Sequence, residues 1–164
     1  KSTAIPHYDY SQPGAYFITL CVEKRRPILG KIDSSPQVVL SSIGKIVSDV
    51  WYSLPQRFPC LDAISQSIFV VVPDHIHGIL QITAGGASPS PTLHQILGSF
   101  KSITTIETNR LLGTPGQKLW QRSAYEHILR NQQDFDEAAG YIAENPARRL
   151  EREEFERRRK SLSG

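Results

Sequence analysis

The chain has 164 residues, of which 39% are apolar and 21% charged, a composition typical of one globular domain with a sizeable core. Its apolar runs are too short to cross a bilayer and no signal-peptide pattern opens it, so neither a membrane protein nor a secreted one is expected. Cys21 and Cys60 lie far apart in the sequence, which argues against a disulfide scaffold and against a cysteine-built zinc site. We therefore expect a cytoplasmic protein with Cys21 in its core. Because the first residue is Lys1, we also expect the gene product to begin earlier.

The net positive charge arises entirely from the C-terminal end of the chain. Residues 147–164 hold seven basic and four acidic side chains, which equals the whole net charge of +3. We predict a domain over 1–146 and a basic extension over 147–164. Such an extension is either a solvated, salt-bridged helix or an arm that binds nucleic-acid phosphates, and Arg148 and Arg149 are candidates for the latter role.

The first half of the chain predicts three strands and a helix. A strand over 16–22 follows a Gln-Pro-Gly turn signal. Apolar residues spaced by three and four predict a helix over 41–54, closed by Pro55. The segments 64–72 and 75–83 are rich in β-branched residues and predict an antiparallel hairpin.

The second half begins with a flexible connection over 84–92. A helix is predicted from Leu93 to Gly113, a weaker strand over 119–129 and a helix over 132–144. The order β-α-β-β-α-β followed by a helix predicts an α+β fold, the ferredoxin-like sandwich. It has an antiparallel sheet of four to five strands with helices on one face, plus a C-terminal helix or tail.

His75-Ile76-His77 is the strongest chemical feature of the sequence. In a strand, residues i and i+2 face the same side, so both imidazoles converge while Ile76 enters the core. Two imidazoles on one face suit a divalent cation. The alternative is a pair of surface histidines without a function.

A nucleophile and a third ligand are available on the last helix. Tyr141 and Asn145 are spaced i, i+4 and share a helix face. A metal held by His75, His77 and Asn145 would polarise a phosphodiester for attack by the Tyr141 phenolate. The alternative is that Tyr141 is a half-buried packing residue. The main rival nucleophile is Tyr125, which would share a strand face with His127.

These residues carry a resemblance to a known family. Residues 69–79 resemble the HUH motif of the IS200-like transposases. Residues 119–131 and 141–146 are similar to the REP-associated tyrosine transposase (RAYT) branch of that family, and residues 8–19 fit the same branch. The resemblance spans roughly residues 8–150.

The resemblance implies a Y1 HUH transposase, a metal-dependent endonuclease and strand transferase of single-stranded DNA. Tyr141 would form a 5′-phosphotyrosine link and release a 3′-hydroxyl, while His75 and His77 hold Mg²⁺ or Mn²⁺. Asn145 falls where many relatives place a glutamine ligand. Its neutral oxygen is acceptable to a hard cation.

The implied partner is single-stranded DNA with REP-type hairpins, bound by a monomer, with a dimer as the alternative. The protein would be nucleoid-associated when bound to DNA. Trp120 would stack on an unpaired base, unless it is a core residue. The candidate DNA contacts are Lys101, Trp120, Arg122, Arg130, Arg148 and Arg149.

Two other functions compete with transposition. One is a catalytically inactive protein that only binds DNA hairpins. The other is a metallohydrolase that activates water, for which Asp74 and His127 are the spare ligands. The intact set of His75, His77 and Tyr141 favours the transposase.

Overall fold

The computed structural model describes residues 14–35, 37–83 and 91–145, together with Arg159. The predicted extension 147–164, including Arg148 and Arg149, lies outside the described residues apart from Arg159, and so does most of the predicted connection 84–92. The elements are β1 (Gly14–Cys21), β2 (Gly30–Ile32), β3 (Val38–Leu40), α1 (Ser42–Arg57), β4 (Phe69–Val72), β5 (His75–Ile82), α2 (Leu93–Leu112), β6 (Tyr125–Leu129) and α3, helical over 132–145.

The main sheet has four strands in the order β4-β5-β1-β6, and every neighbouring pair is antiparallel. This order places β1 between the later strands β5 and β6, as the predicted ferredoxin-like sandwich requires. The helices α1 and α2 pack on one face of this sheet, and α3 packs on the other. The predicted α+β fold is therefore confirmed. No described helix is both long and apolar enough to span a membrane.

Successive side chains along a strand point to opposite faces of the sheet, and each face carries an apolar core. Tyr16, Ile18 and Leu20 of β1 point toward α1 and α2 into the larger core. Their neighbours Ala15 and Phe17 point the other way, into a smaller core beneath α3. The side chains of β1 that face α3 are the ones that surround the candidate site.

The helix α2 begins and ends where the sequence predicts. Thr92 and Gln95 form a reciprocal capping box at its start, which satisfies two otherwise free backbone N–H groups. Gly113 ends the helix with φ of 67°, a left-handed conformation that glycine adopts without steric cost.

Several predicted boundaries were wrong. Residues 64–68 are not a strand and include a short 3₁₀ helix over Ser65–Ser67. The predicted strand 119–129 is regular only from Tyr125 onward. The hairpin of β2 and β3, a separate two-stranded sheet, was not predicted. Cys21 is partly exposed rather than core, because it lies on the sheet face that carries the histidines; both cysteines are free.

Pro55 does not end α1, which continues to Arg57. A proline inside a helix leaves the carbonyl four residues earlier without its N–H donor. That carbonyl belongs to Trp51, and the side-chain amide of Gln66 donates to it at 2.8 Å. The Trp51 indole N–H in turn donates to the Gln66 carbonyl at 2.9 Å. This reciprocal pair replaces the missing helical bond, so the helix runs through the proline.

Gly78 allows the Trp51 ring to pack against β5. A Cβ added at Gly78 would lie 2.5 Å from Cη2 of Trp51. We expect Gly78→Ala to lower the free energy of unfolding by about 1–3 kcal/mol, measured by guanidinium denaturation. Gly98→Ala is the matched control, since nothing lies within 4 Å of the added methyl and α2 gains about 0.5–1 kcal/mol in helix propensity. Equal effects of the two substitutions would contradict this explanation.

Candidate active site

The strand register gathers polar side chains on the face of the sheet beneath α3. In the pairing of β1 with β5, Thr19 is opposite His77 and Cys21 is opposite His75. In the pairing of β1 with β6, Thr19 is also opposite Tyr125. His77, Thr19 and Tyr125 therefore form one row across three strands, and Ile76 enters the larger core as predicted.

The two histidines face each other through their Nε2 atoms, which are 3.1 Å apart. The other nitrogen of each ring is held separately. Nδ1 of His75 lies 2.7 Å from Oδ1 of Asp74, and Nδ1 of His77 lies 2.7 Å from Oγ1 of Thr19. Hydrogen bonds at Nδ1 fix the orientation of a ring and leave Nε2 as the metal-binding atom.

The buried position of His77 favours the neutral form of its imidazole. Burial, with smaller contributions from His75 and Arg25, lowers the pKa of His77 to about 3. Neutral His77 keeps a lone pair on one nitrogen, which is the form that binds metals. The two Nε2 atoms are within hydrogen-bond distance at 3.1 Å, and one of them is the donor. Because both atoms converge on one point, a divalent cation could take the place of the shared proton, so the pair fits such an ion.

Asp74 contacts His75 on the side of the ring away from His77, and Arg25 contacts Asp74. The guanidinium of Arg25 donates through Nε to Oδ2 of Asp74 at 3.2 Å, and its Nη2 lies at the same distance from that oxygen. Arg25 and its neighbour Lys24 both have positive φ, of 53° and 59°, which costs non-glycine residues free energy. Asp74 is thus committed to orienting His75, which argues against its role as a spare ligand in a metallohydrolase.

Tyr141 lies in the same cleft as His77. The centroids of these two rings are 5.3 Å apart, and Tyr141 is 40% exposed. Tyr125, the rival, is 42% exposed and its ring contacts Phe17 at a centroid distance of 6.0 Å. The cleft has a volume of about 540 Å³. The structure therefore brings both tyrosines into one cleft but places Tyr141 against His77 of the histidine pair.

Asn145 is buried one helical turn after Tyr141. Among the residues that the structure describes, no group of three or more His, Cys, Asp or Glu side chains could hold a metal. Completion of a site at the histidine pair thus requires a ligand of another kind. An amide oxygen such as that of Asn145, or a phosphate oxygen of a substrate, meets this requirement.

Trp120 does not stack on DNA bases, contrary to one prediction. It is 2% exposed, and its indole N–H donates to Oγ1 of Thr104 at 2.8 Å. The alternative of a core residue is correct for this side chain. Trp120 belongs to the larger core and its ring lies beside that of Phe100 on α2, at a centroid distance of 5.9 Å, so Trp120 stabilises the packing of α2 on the sheet.

The described basic candidates for DNA contact do not line the cleft. The ammonium of Lys101 donates to the carbonyls of Gln121 and Arg122, and burial together with nearby Lys118 lowers its pKa. Lys101 lies on α2, in the layer opposite the cleft. Arg122 and Arg130 are exposed.

Four residues of the site were not found by sequence reasoning. Thr19 and Phe17 come from β1 and reach the histidines only through strand register. Phe17 stacks on His77, with centroids 5.4 Å apart, and contacts Tyr141 edge-on. Asp74 was considered only as a ligand, and Arg25 was given no role at the site. The adjacency of Asp74 to His75 was the one available signal.

Comparison with solved structures finds transposases that have a similar fold. The structure superposes on a REP-associated tyrosine transposase bound to a REP hairpin with a TM-score of 0.58 and 20% identity, covering 90% of this chain and 74% of the other. It also matches a putative transposase from Deinococcus radiodurans R1, with a TM-score of 0.52 and 14% identity, covering 85% and 96%. These likenesses show that the fold is shared.

Sequence comparison adds a relative without a described function. An uncharacterized protein of Haemophilus influenzae is 29% identical over 163 residues, which covers 89% of this chain and 87% of the relative. No protein-family model matches the chain.

Proposed function

We propose that this protein is a metal-dependent single-stranded DNA endonuclease and strand transferase that uses Tyr141 as its nucleophile and acts on REP-type hairpins. The observation that carries the proposal is the placement of Tyr141 against His77, whose Nε2 faces that of His75 at 3.1 Å. The hairpin substrate is suggested by the solved neighbour, which was bound to a REP hairpin.

The reaction needs only one protein nucleophile. The phenolate oxygen of Tyr141 attacks the phosphorus, a P–O bond forms, and the bond from phosphorus to the 3′ oxygen breaks. The proton of the Tyr141 hydroxyl passes to solvent, and the departing oxygen takes a proton from solvent and becomes a 3′-hydroxyl. The 5′-phosphotyrosine conserves the energy of a phosphodiester, so a 3′-hydroxyl of a second strand can reverse the step without another cofactor.

Side chains around Tyr141 would hold the metal ion and position the tyrosine ring for this attack. His75 and His77, with Asn145 as the third protein ligand, would hold Mg²⁺ or Mn²⁺, which supplies Lewis-acid polarisation of the phosphate. Phe17 packs against both His77 and Tyr141 and limits the movement of their rings. The partial exposure of Tyr141 leaves room for a DNA strand to approach.

A denaturing-gel assay with labelled REP-type hairpin oligonucleotides and Mn²⁺ tests the proposal. We expect the wild-type protein and Tyr125→Phe to give a slow-migrating covalent adduct. Tyr141→Phe should give none, because phenylalanine keeps the ring packing but lacks the attacking oxygen. Tyr125→Phe is the matched control, since it removes the same hydroxyl from the same cleft.

The other outcomes separate the competing functions. An adduct that is lost in Tyr125→Phe and kept in Tyr141→Phe would exchange the roles of the two tyrosines. Hairpin binding without cleavage by any variant would favour the inactive hairpin-binding protein. Release of cleaved DNA without an adduct would favour the hydrolase.

A further inference from the structure

The cleft beside Tyr141 extends away from the histidine pair, toward β6. This part, which we name the β6 pocket, is lined by Phe17, Tyr125, His127, Leu129 and Glu137. We propose that the β6 pocket binds one unpaired DNA base and prefers a base with an exocyclic amino group. The inference rests on the proposed function and adds a specificity site to it.

The walls of the β6 pocket suit a planar ring. Tyr125 stays 42% exposed although its ring contacts Phe17, so part of its surface is open to the cleft. The side chain of Leu129 adds an apolar surface on the same strand face. Unpaired bases stack on aromatic side chains with little dependence on sequence, so these walls supply affinity. The cleft volume of about 540 Å³ exceeds what a single base requires.

Glu137 supplies the selectivity. It is exposed, and no hydrogen bond or ion pair engages its carboxylate within the described part of the chain. A carboxylate repels phosphate and accepts hydrogen bonds, and the exocyclic amino groups of adenine, cytosine and guanine offer it N–H donors. Thymine has no exocyclic amino group, and its one donor, N3–H, lies between two carbonyl oxygens that repel a carboxylate. We therefore expect the pocket to discriminate against thymine.

The spacing of Glu137 and Tyr141 matches the span of one nucleotide. The two residues are i, i+4 on α3, which places them on one face and about 6 Å apart along the axis. A phosphate at the Tyr141 hydroxyl therefore has its own or the adjoining base within reach of Glu137.

Asp134, the other carboxylate of the cleft, is already engaged. Its Oδ2 accepts the backbone N–H of Arg130 at 3.1 Å, while its own N–H donates to the Asn131 side chain at 2.8 Å. These bonds cap the start of α3. Asp134 is thus a structural residue, and Glu137 is the acceptor that remains for a base.

Binding to matched oligonucleotides tests the β6 pocket. REP-type hairpins with equal single-stranded flanks of dC or dT are titrated in EDTA, so that cleavage does not interfere, and the dissociation constants are read from fluorescence anisotropy. We expect the wild-type protein to bind the dC flank about tenfold more tightly than the dT flank. In Glu137→Ala this ratio should fall to about one.

Asp136→Ala is the matched control for charge. Asp136 is the residue before Glu137, is exposed and does not line the cleft, so its removal changes the same charge on the same helix. We expect it to keep the tenfold ratio. Tyr125→Ala should weaken binding of both flanks about tenfold, and Tyr125→Phe should not.

Each remaining outcome overturns a specific statement. Tight binding of the hairpin with equal affinity for dC and dT flanks would refute the pocket and leave the proposed function standing. A ratio that survives in Glu137→Ala would also refute the pocket. Failure to bind any hairpin, with or without flanks, would overturn both proposals.

Discussion

His77→Ala is expected to reduce Mn²⁺-dependent adduct formation to the level seen without metal and to weaken Mn²⁺ binding at least 100-fold. The substitution removes one of two imidazoles that face each other at 3.1 Å, and a single imidazole is a poor site for a hard cation. The adduct is measured on a denaturing gel, and Mn²⁺ binding by isothermal titration calorimetry. Hairpin binding should persist, which shows that the variant is folded.

Asp74→Asn is expected to weaken Mn²⁺ binding less than His77→Ala does. The carboxylate holds Nδ1–H of His75, whereas an asparagine amide can also donate and so shift the proton to Nε2. Loss of such a supporting group costs about 10- to 100-fold in metal affinity. Asp49→Asn, an exposed carboxylate on α1, is the control and should leave the affinity unchanged. Wild-type affinity in Asp74→Asn would exclude the supporting role.

Trp51→Ala is expected to be the most destabilising substitution on α1, at about 3–5 kcal/mol. The indole is fully buried, stacks on Phe69 at a centroid distance of 4.5 Å and meets Phe100 edge-on. Its loss leaves a large cavity and also removes the N–H that donates to the Gln66 carbonyl. The measurement is the free energy of unfolding from guanidinium denaturation.

The neighbouring aromatic residue provides the comparison for Trp51. Tyr52 is 50% exposed and contacts the same Phe69 ring edge-on. Because truncation of the exposed Tyr52 side chain leaves no enclosed cavity, we expect Tyr52→Ala to lower the free energy of unfolding by less than about 1.5 kcal/mol. Similar losses for the two variants would show that burial of Trp51 does not dominate the stability of α1.

Sequence patterns predicted the structure correctly where local signals determine it. The alternation around His77 predicted the inward Ile76 and the convergent imidazoles. The apolar periodicity that begins at Leu93 and the glycine at position 113 predicted the two ends of α2. The i, i+4 spacing also predicted that Tyr141 and Asn145 occupy successive turns of one helix. The roles of these residues in metal binding and attack remain predictions.

Sequence patterns gave wrong or incomplete predictions where a residue that is distant in the sequence determines the local structure. A proline normally ends a helix, but at Pro55 the side-chain amide of Gln66 donates the hydrogen bond that the proline cannot donate. A tryptophan in the sequence can be either a base-stacking residue or a core residue. Only the tertiary structure shows that Trp120 is buried and that its N–H donates to Thr104. Thr19 and Phe17 join the site through a register that no local pattern specifies.

The two apolar cores lie on opposite faces of one sheet, with the histidine pair and Tyr141 on the face of the smaller core. Folding depends mainly on the larger core, which contains neither the histidine pair nor Tyr141. Selection for a stable protein therefore does little to retain these three side chains. Under the proposed function, a lineage that no longer needs DNA cleavage can lose Tyr141 by drift while the domain persists, so a folded and abundant descendant need not be an active one.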